Sequence, residues 1–244
     1  MNAAIDLGNT FAKIGWFEGS TLIRAQYKIP FDALTNILVE QLPEKAILSS
    51  TSHDTGIYAL ALQQKGVNAL QLAPDTPLPI QKEYDTPQTL GADRLAAAVG
   101  ANGLFPNENC LVIDMGTCIT YDWVSAEAIF RGGIISPGFR MRFQAMHAFT
   151  KRLPLIEMEE VSYFMSLPFV GKSTRTAMQS GVFNGLLAEI EGVIARYRHE
   201  YGQCRVLLCG GDAPYFESLL KNRIFAAPNL VLMGLNRILQ HNVN

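Results

Sequence analysis

Two short segments end an apolar strand pattern with an aspartate followed two residues later by a glycine. They are AIDLGNT, which contains Asp6 and Gly8, and VIDMGTC, which contains Asp114 and Gly116. A glycine allows close backbone approach to phosphate because it has no Cβ, and a carboxylate at a strand end can hold a cation directly or through water. Asp, Gly, Asn and Thr are also ordinary turn residues. One segment alone is therefore ambiguous, and the two together favour a phosphate site.

A third segment, VGKST at 170–174, looks like the end of a nucleotide-binding P-loop. A P-loop reads G-x-x-x-x-G-K-[ST] and cradles phosphates with backbone amides. Here Ser166 stands where the first glycine is required, and Pro168 removes one amide donor. The preceding text is also a poor core strand. We therefore predict a plain loop in which Ser173 or Thr174 caps the next helix.

The segment EYDTPQTLGADRLAAAVGA provides a candidate site for a phosphate acceptor. Transfer to a hydroxyl needs an oriented acceptor and often a carboxylate that takes its proton. Asp93 falls in the first turn of a predicted helix, just after Gly91 and beside Arg94. The helix N-terminus and Arg94 would favour an anionic substrate group. The alternative is that Asp93 only complements the helix dipole.

A fourth segment, RVLLCGGDAPYF, predicts a buried strand that ends at Gly210 and Gly211. Two glycines expose bare backbone against which a flat adenine ring could lie. A Gly-Gly turn before a helix is equally good as plain structure.

Hydrophobic periodicity predicts alternating strands and helices around these segments. The expected strands are NAAIDLG, NTFAKIGWF, STLIRAQYKI after a Gly19-Ser20 turn, 45–49, CRVLLCGG and 229–232. The expected helices are 33–41, 55–65, 91–104, 139–151, 174–201, a short one near Tyr215 and a closing one to about residue 240. Residues 74–90 are rich in Pro and Thr and predict an irregular surface segment.

The opening of the chain is repeated in its second half. AIDLGNTFAKIGWF lies over VIDMGTCITYDWVS, so that Asp6 matches Asp114 and Gly8 matches Gly116. A repeated strand, Asp-x-Gly turn and second strand suggest duplicated α/β domains. We expect an N-terminal domain at 1–109 and a C-terminal domain at 110–244.

Composition excludes several classes of protein. The 244 residues are 48% hydrophobic and 17% charged, which argues against disorder. The formal net charge is −2 and no Lys/Arg block occurs, so no nucleic-acid partner is expected. No zinc or redox pattern of cysteines, signal peptide or membrane-length apolar run is predicted either. A cytoplasmic location is expected.

Five segments in this order resemble the type III pantothenate kinases, a family of the actin/hexokinase/acetate-kinase superfamily. They are DLGNT at 6–10, GADR at 91–94, DMGTCIT at 114–120, RGGIISPG at 131–138 and STRTAMQSG at 173–181. The resemblance runs over essentially the whole chain. It implies two duplicated ribonuclease-H-like α/β domains with the active site in the cleft between them. It also implies ATP-dependent phosphorylation of pantothenate to 4'-phosphopantothenate, the first step of coenzyme A biosynthesis.

The resemblance assigns roles to individual residues. Asp93 would be the general base on the primary hydroxyl of pantothenate. Asp114 would help to bind a monovalent cation, K⁺ or NH4⁺, and Mg²⁺ would accompany ATP. The residues implied for ATP are Asp6, Leu7, Gly8, Asn9, Thr10, Phe11, Ala12, Lys13 and Thr117. The residues implied for pantothenate are Tyr84, Gly91, Ala92, Asp93, Arg94 and Thr174.

Members of this family are homodimers in which the partner subunit completes the substrate pocket. The long predicted helix carries Gly181 and Gly185, with the apolar neighbours Met178, Val182 and Leu186. These glycines would allow close approach of a second helix. Packing within one chain would explain the same stripe.

Two other functions stay open at this point. One is a related superfamily kinase for another small hydroxyl substrate, and the other is a non-catalytic regulatory or accessory factor that keeps the fold. Intact Asp6, Asp93, Asp114 and Thr117 speak against lost catalysis. The departures from the family pattern are Cys118, where Ala is common, and SAEAIF, which lacks a glycine often found in that turn.

Overall fold

A computed structural model of the chain describes residues 1–157, 168–220 and 223–243. Ser166, on which the argument against a P-loop depends, lies outside these residues. The strands are β1 (Asn2–Leu7), β2 (Ala12–Glu18), β3 (Thr21–Ile29), β4 (Lys45–Ser50), β5 (Asn68–Gln71), β6 (Gln81–Lys82), β7 (Cys110–Met115), β8 (Cys118–Val124), β9 (Ile129–Pro137), β10 (Arg205–Cys209) and β11 (Phe225–Ala226). The helices are α1 (Phe31–Glu40), α2 (Gly56–Gln63), α3 (Ala92–Leu104), α4 (Phe139–Ala148), α5 (Thr174–Tyr201) and α6 (Leu230–Val243).

The first sheet is built around the N-terminal strand, in the order β3-β2-β1-β4-β5. β2 runs antiparallel to β1 and β3, whereas β4 runs parallel to β1 and β5. Ile5 of β1 packs in one buried cluster with Leu34 and Leu38 of α1 and Leu62 of α2. Each fully buried side chain of this size contributes about 1.5–3 kcal/mol. The cluster therefore holds the hairpin that begins at β1 in a fixed place.

The second sheet repeats the order of the first. Its strands follow β11-β10-β7-β8-β9-β6, so that β9-β8-β7-β10-β11 corresponds to β3-β2-β1-β4-β5. The extra strand β6 pairs in parallel with β9 at the edge. The duplication that the repeated Asp-x-Gly segments predict is thus present in the strand order.

The chain forms two compact units, and their boundary does not fall at a single point in the sequence. The first unit is Met1–Val112, Asp122–Gly132 and Asn229–Asn244, and the second is Ile113–Tyr121 and Gly133–Pro228. The predicted division into 1–109 and 110–244 stays a prediction.

The C-terminal helix belongs to the first unit because α6 packs closely on α3. A Cβ at Gly234 would lie 1.7 Å from the Ala96 carbonyl oxygen, and a Cβ at Gly100 would lie 2.5 Å from that of Leu230. Only glycines allow the two backbones to approach in this way. Side chains of α6 thereby cover α3 and the first sheet.

Most predicted elements are confirmed, and the helix at 174–201 has both predicted bounds. The strand predicted at 229–232 is wrong, because Leu230 begins α6 and the short strand β11 lies earlier. A run of four apolar residues suits a buried helix as well as a strand. The helix predicted at 139–151 ends sooner, at Ala148. β5 and β6 are additional short strands that the pattern does not predict.

Candidate active site

The turn between β1 and β2 carries the first predicted phosphate segment. The Gly8 N–H donates to the Phe11 carbonyl oxygen over 3.2 Å and closes the turn. Asn9 and Thr10, at its tip, are exposed, and Lys13 is half-buried in β2. The turn therefore presents two short polar side chains and exposed backbone, as the phosphate hypothesis requires.

Buried residues support this turn from the strands. Leu7 and Ala12 are fully buried, and their side chains belong to the core. Asp6 is 6% exposed and lies level with Ser49 of β4. The Ser49 hydroxyl is buried and has no hydrogen-bond partner among the described residues. Sequence reasoning missed Ser49, because its position beside Asp6 depends on the register of β1 with β4.

The turn between β7 and β8 carries the second predicted segment. The Gly116 N–H donates to the Cys118 carbonyl oxygen over 3.0 Å. Asp114 is half-buried near the end of β7, and Thr117 is exposed at the tip of the turn. A carboxylate and a hydroxyl thus both belong to this end of the strand and the turn that follows it.

Two glycines brace the backbone of this second turn. A Cβ at Gly138 would lie 2.2 Å from the Thr117 carbonyl oxygen. Gly210 has a φ of +94°, and its Cβ would lie 2.4 Å from the Met115 nitrogen. Gly210 is therefore covered by the protein's own backbone, whereas Gly211 has no described atom within 4 Å of the corresponding position. Of the two glycines suggested for an adenine ring, only Gly211 is open.

A polar network links the elements around this turn. The Tyr121 hydroxyl donates to Glu189 Oε1 over 2.9 Å, and Arg142 Nη2 donates to Glu189 Oε2 over 2.6 Å and to the Ser136 hydroxyl over 3.1 Å. Burial raises the pKa of Glu189, but hydrogen bonds from Arg142, Ser136 and Tyr121 outweigh it and lower the pKa overall. Burial together with the charge of Glu189 raises the pKa of Tyr121. The network joins β8, the end of β9, α4 and α5.

A second carboxyl group near this turn is largely desolvated. The Asp212 N–H donates to the Met115 carbonyl oxygen over 3.0 Å. Burial raises the pKa of the Asp212 carboxyl, and Arg140, 4.0 Å away, lowers it only in part.

The first turn of α3 shapes the candidate acceptor segment. Asp93 is half-buried, and its Oδ1 accepts a hydrogen bond from the Arg94 N–H over 2.8 Å. A Cβ at Gly91 would lie only 2.5 Å from this same oxygen. The Asp93 carboxylate therefore occupies space that a side chain at position 91 would fill. This explains why residue 91 is a glycine.

The side chain of Arg94 is buried in a cluster that also contains Tyr84. Its Nε lies 2.9 and 3.2 Å from the two carboxylate oxygens of Asp122, and its Nη2 lies 2.5 Å from Asp122 Oδ1. Its Nη1 lies 3.5 Å from the Tyr84 hydroxyl. The rings of Tyr84 and Phe130 stand 5.8 and 5.7 Å from the guanidinium carbon, within the range of cation–π attraction.

Asp122 is the main residue of this cluster that sequence reasoning missed. Burial lowers the pKa of Arg94, but the hydrogen bonds and charge of Asp122 outweigh burial and raise it. Asp122 itself is fully buried in β8. The signal in the sequence is a carboxylate between Tyr121 and Trp123 in an apolar strand, because a buried carboxylate requires a partner.

Thr174 is the first residue of α5 and is exposed. The cap of this helix is Ser173, as predicted, in a capping box with Thr176. A Cβ at Gly171 would lie 2.3 Å from the Ala177 nitrogen, so Gly171 packs against the first turn of the helix. The GKST segment is thus a helix start, and it leaves Thr174 available at the surface.

The predicted site residues belong to both units. Asp6–Lys13, Tyr84 and the Gly91–Arg94 segment belong to the first unit, which brings Tyr84 and Arg94 into contact. Asp114, Thr117 and Thr174 belong to the second.

The described residues contain no group of three or more His, Cys, Asp or Glu side chains arranged to hold a metal ion. Within the same residues, no helix is both long enough and apolar enough to cross a membrane.

Comparison with known proteins gives a consistent result. A family model described as type III pantothenate kinase matches residues 3–196. A type III pantothenate kinase of Cytophaga hutchinsonii is 44% identical over 246 residues and covers 100% of both chains. One of Bacteroides fragilis is 42% identical over 244 residues, covering 99% of this chain and 98% of the relative.

The comparison of structures concerns the fold alone. A ROK hexokinase of Thermus thermophilus matches with a TM-score of 0.55 at 16% identity, over 99% of each chain. The α/β architecture of duplicated ribonuclease-H-like domains, shared with actin-like ATPases and sugar kinases, is confirmed. Matching segments, full-length identity and this fold lead to one conclusion. The chain belongs to the type III pantothenate kinase family.

Proposed function

We propose that this kinase transfers a phosphoryl group from ATP to the primary hydroxyl of pantothenate, the first step of coenzyme A biosynthesis. The observation that carries the proposal is the first turn of α3, where a half-buried carboxylate stands beside a buried guanidinium. Identity over the full length of named type III pantothenate kinases supports the same substrate.

Asp93 is the general base of this proposal. One of its oxygens accepts from the Arg94 N–H, and the other has no hydrogen-bond partner among the described residues. A carboxylate held in this way can accept the proton of the attacking hydroxyl while its position stays defined. The substrate oxygen then attacks the γ-phosphorus of ATP, the bond between this phosphorus and the β–γ bridging oxygen breaks, and ADP leaves.

Pantothenate carries a carboxylate at the end remote from the hydroxyl that reacts. Arg94 is the donor of choice for such a group, because a guanidinium offers paired N–H groups. Tyr84, Gly91 and Ala92 surround the same end of α3, and Thr174 supplies an exposed hydroxyl from α5. We assign these residues to pantothenate.

The triphosphate of ATP is assigned to the two Asp-x-Gly turns. In the first, which comprises the residues from Asp6 to Lys13, the tip of the turn is exposed and carries the side chains of Asn9 and Thr10. In the second, Thr117 offers its hydroxyl. Oriented donors of this kind stabilise the charge that spreads over the transferred group.

The carboxylates at the strand ends suit hard cations, which prefer oxygen ligands. Asp114 is assigned to a monovalent cation, K⁺ or NH4⁺, and Asp6 lies at the matching position in the first half. When bound, Mg²⁺ with ATP and the monovalent cation would neutralise phosphate charge. A magnesium ion that is held mainly by phosphates needs only one or two protein carboxylates, so this donor set fits the two ions.

We also assign a homodimer to this protein. A Cβ at Gly181 or Gly185 would meet no described atom within 4 Å. Their apolar neighbours Met178, Val182 and Leu186 are buried in the chain's own core. Packing within the chain thus accounts for the apolar residues and leaves the glycines on an open face of α5, where a second helix can approach.

A coupled assay of ADP release tests the activity. Turnover should require both ATP and pantothenate, and it should be higher with K⁺ or NH4⁺ than with Na⁺ alone. A panel of other small hydroxyl compounds serves as the control for substrate. Release of ADP that does not depend on pantothenate, in any of the three salts, would overturn the proposal.

A further inference from the structure

The Arg94–Asp122 pair has a geometry that leaves part of the guanidinium unused. A guanidinium carries five N–H donors and can bind a carboxylate along either of two kinds of edge, Nε with one Nη or both Nη atoms. Asp122 occupies the edge formed by Nε and Nη2. Among the described residues, the only other polar contact of the side chain is the Tyr84 hydroxyl, 3.5 Å from Nη1. The edge formed by Nη1 and Nη2 therefore keeps N–H donors for another acceptor.

The position of this edge is tightly defined. Arg94 is 6% exposed and Asp122 is fully buried, so neither side chain is free to change rotamer in solvent. The rings of Tyr84 and Phe130 lie within 6 Å of the guanidinium carbon. A Cβ at Gly132 would lie 3.7 Å from the Tyr84 ring, so the ring itself is backed by β9. The buried ion pair with Asp122 and the two rings thus limit where the donors of Arg94 can lie.

We propose that Asp122 is a positioning residue for pantothenate binding. It holds Arg94 by the edge formed by Nε and Nη2 so that the adjacent edge, formed by Nη1 and Nη2, meets the carboxylate of the substrate. This inference rests on the proposed function, since it requires an anionic acceptor. The residue does not touch the reacting atoms and acts through Arg94.

The charges in the cluster are compatible with a second carboxylate. Asp122 neutralises Arg94, so the arriving carboxylate adds one negative charge. Arg94 is the third residue of α3, where the partial positive charge of the helix N-terminus favours an anion. The same N-terminus carries Asp93, whose Oδ1 accepts from the Arg94 backbone. The substrate's remote carboxylate is therefore recognised by the same turn of helix that holds the base.

A double-mutant cycle tests this role. Asp122→Asn keeps the size of the side chain and one acceptor oxygen, but it removes the charge that holds both Nε and Nη2. We expect the KM for pantothenate to rise about 10- to 100-fold, the range that a charge-assisted hydrogen-bond pair implies. The KM for ATP should stay unchanged and kcat should stay within about threefold. Arg94→Lys should raise the KM for pantothenate similarly, and the double variant should resemble Arg94→Lys alone.

Additive losses in the double variant would overturn the proposal, because they would mean that Asp122 does not act through Arg94. Unchanged KM values with only a lower Tm would also overturn it and leave Asp122 a structural residue. If turnover falls below detection, calorimetric titration with pantothenate gives the Kd of the wild type, both single variants and the double variant. These four Kd values then replace the KM values in the cycle.

Two further variants complete the experiment. Asp122→Glu keeps the charge, and hence the folded pair, but shifts the guanidinium. The positioning role predicts a raised KM for pantothenate, and a normal KM in this variant would contradict it even if Asp122→Asn does not fold. Glu83→Gln is the matched control. It removes the neighbouring exposed ion pair with Arg131 and should change neither KM.

Failure of the inference and failure of the proposed function can be told apart. If the wild-type protein does not phosphorylate pantothenate, the proposed function is wrong. If it does, and the cycle is additive, only the role of Asp122 is wrong.

Discussion

The most specific feature at the level of single residues is the contact between Gly91 and Asp93. The missing Cβ at Gly91 provides the space for Asp93 Oδ1, and the Arg94 N–H fixes that oxygen. The glycine therefore serves the carboxylate directly. Its effect on folding is small by comparison, because the group that a Cβ would displace is the flexible end of a side chain.

Gly91→Ala should lower activity far more than stability. The new Cβ would displace the Asp93 carboxylate, and a shift of about 1 Å at a reacting group can cost roughly 10²-fold in rate. We expect kcat to fall by about one to two orders of magnitude, with little change in Tm. Steady-state kinetics and thermal denaturation measure the two effects. In the control Gly192→Ala, the Cβ of an exposed helical residue meets no described atom, so kcat should be unchanged. Normal kcat in Gly91→Ala would show that the carboxylate need not occupy this position.

Asp93→Asn tests the base itself. The amide keeps the size of the side chain but cannot accept the proton of the substrate hydroxyl. Turnover should fall by roughly 10²- to 10⁴-fold, the usual contribution of a general base. Binding of ATP, measured by calorimetric titration, should be largely intact. Near-normal turnover would contradict the assignment.

Contacts from several helices and strands hold the second predicted phosphate turn, between β7 and β8, in place. Gly138 at the start of α4 and Gly210 after β10 both contact its backbone. The network of Tyr121, Arg142 and Glu189 then joins β8, α4 and α5. These contacts explain why glycines are needed at positions 138 and 210, outside the turn itself. Both glycines pack against the backbone of the turn, and this packing accounts for them without a ligand.

Glu189→Gln should reveal this network as a pH-dependent loss of stability. The pKa of Glu189 is lowered in the folded protein from an ordinary value of 4.5. Its ionised form therefore stabilises the fold above about pH 4.5, and this contribution is lost as the pH falls through the lowered value. Relative to wild type, the variant should be less stable by about 1 kcal/mol at pH 7, and the difference should shrink below pH 4.5.

Thermal denaturation of both proteins at several pH values measures this difference. Glu200→Gln is the control, because it removes an exposed ion pair with Arg196 on the same helix and should have little effect at any pH. A difference for Glu189→Gln that is constant from pH 7 to pH 3 would contradict the assigned cause.

At the scale of the whole molecule, the exposed glycines of α5, Gly181 and Gly185, bear on self-association. Gly181 and Gly185 are exposed and lie beside the buried stripe of Met178, Val182 and Leu186. An exposed glycine in a helix interior costs about 0.5–1 kcal/mol relative to alanine. A partner helix that requires close approach would offset this cost, and the proposed homodimer supplies one.

Gly185→Leu should weaken self-association without destabilising the single chain. The new side chain meets no described atom of its own chain, but it would hold a partner helix at a distance. We expect the association constant measured by sedimentation equilibrium to fall about 5- to 150-fold, because overpacking of a close contact costs about 1–3 kcal/mol. Gln63→Leu adds an apolar side chain to the exposed face of α2 and serves as the control. Unchanged association in Gly185→Leu would exclude this face of α5 from the interface.

Local features of this protein follow from its sequence, because they depend on residues close together in the chain. Periodicity, caps and turn residues predict the Asp-x-Gly turns, the helix start that places Asp93 in the first turn of α3, and both ends of α5. Long-range pairing is different in kind, since it depends on register and packing between distant segments. Three features arise only when the sheets form. They are the ion pair between Asp122 and Arg94, the position of Ser49 beside Asp6, and the packing of the C-terminal helix on α3. Much of the candidate site is thus encoded locally, and the tertiary fold decides how its charged groups are held.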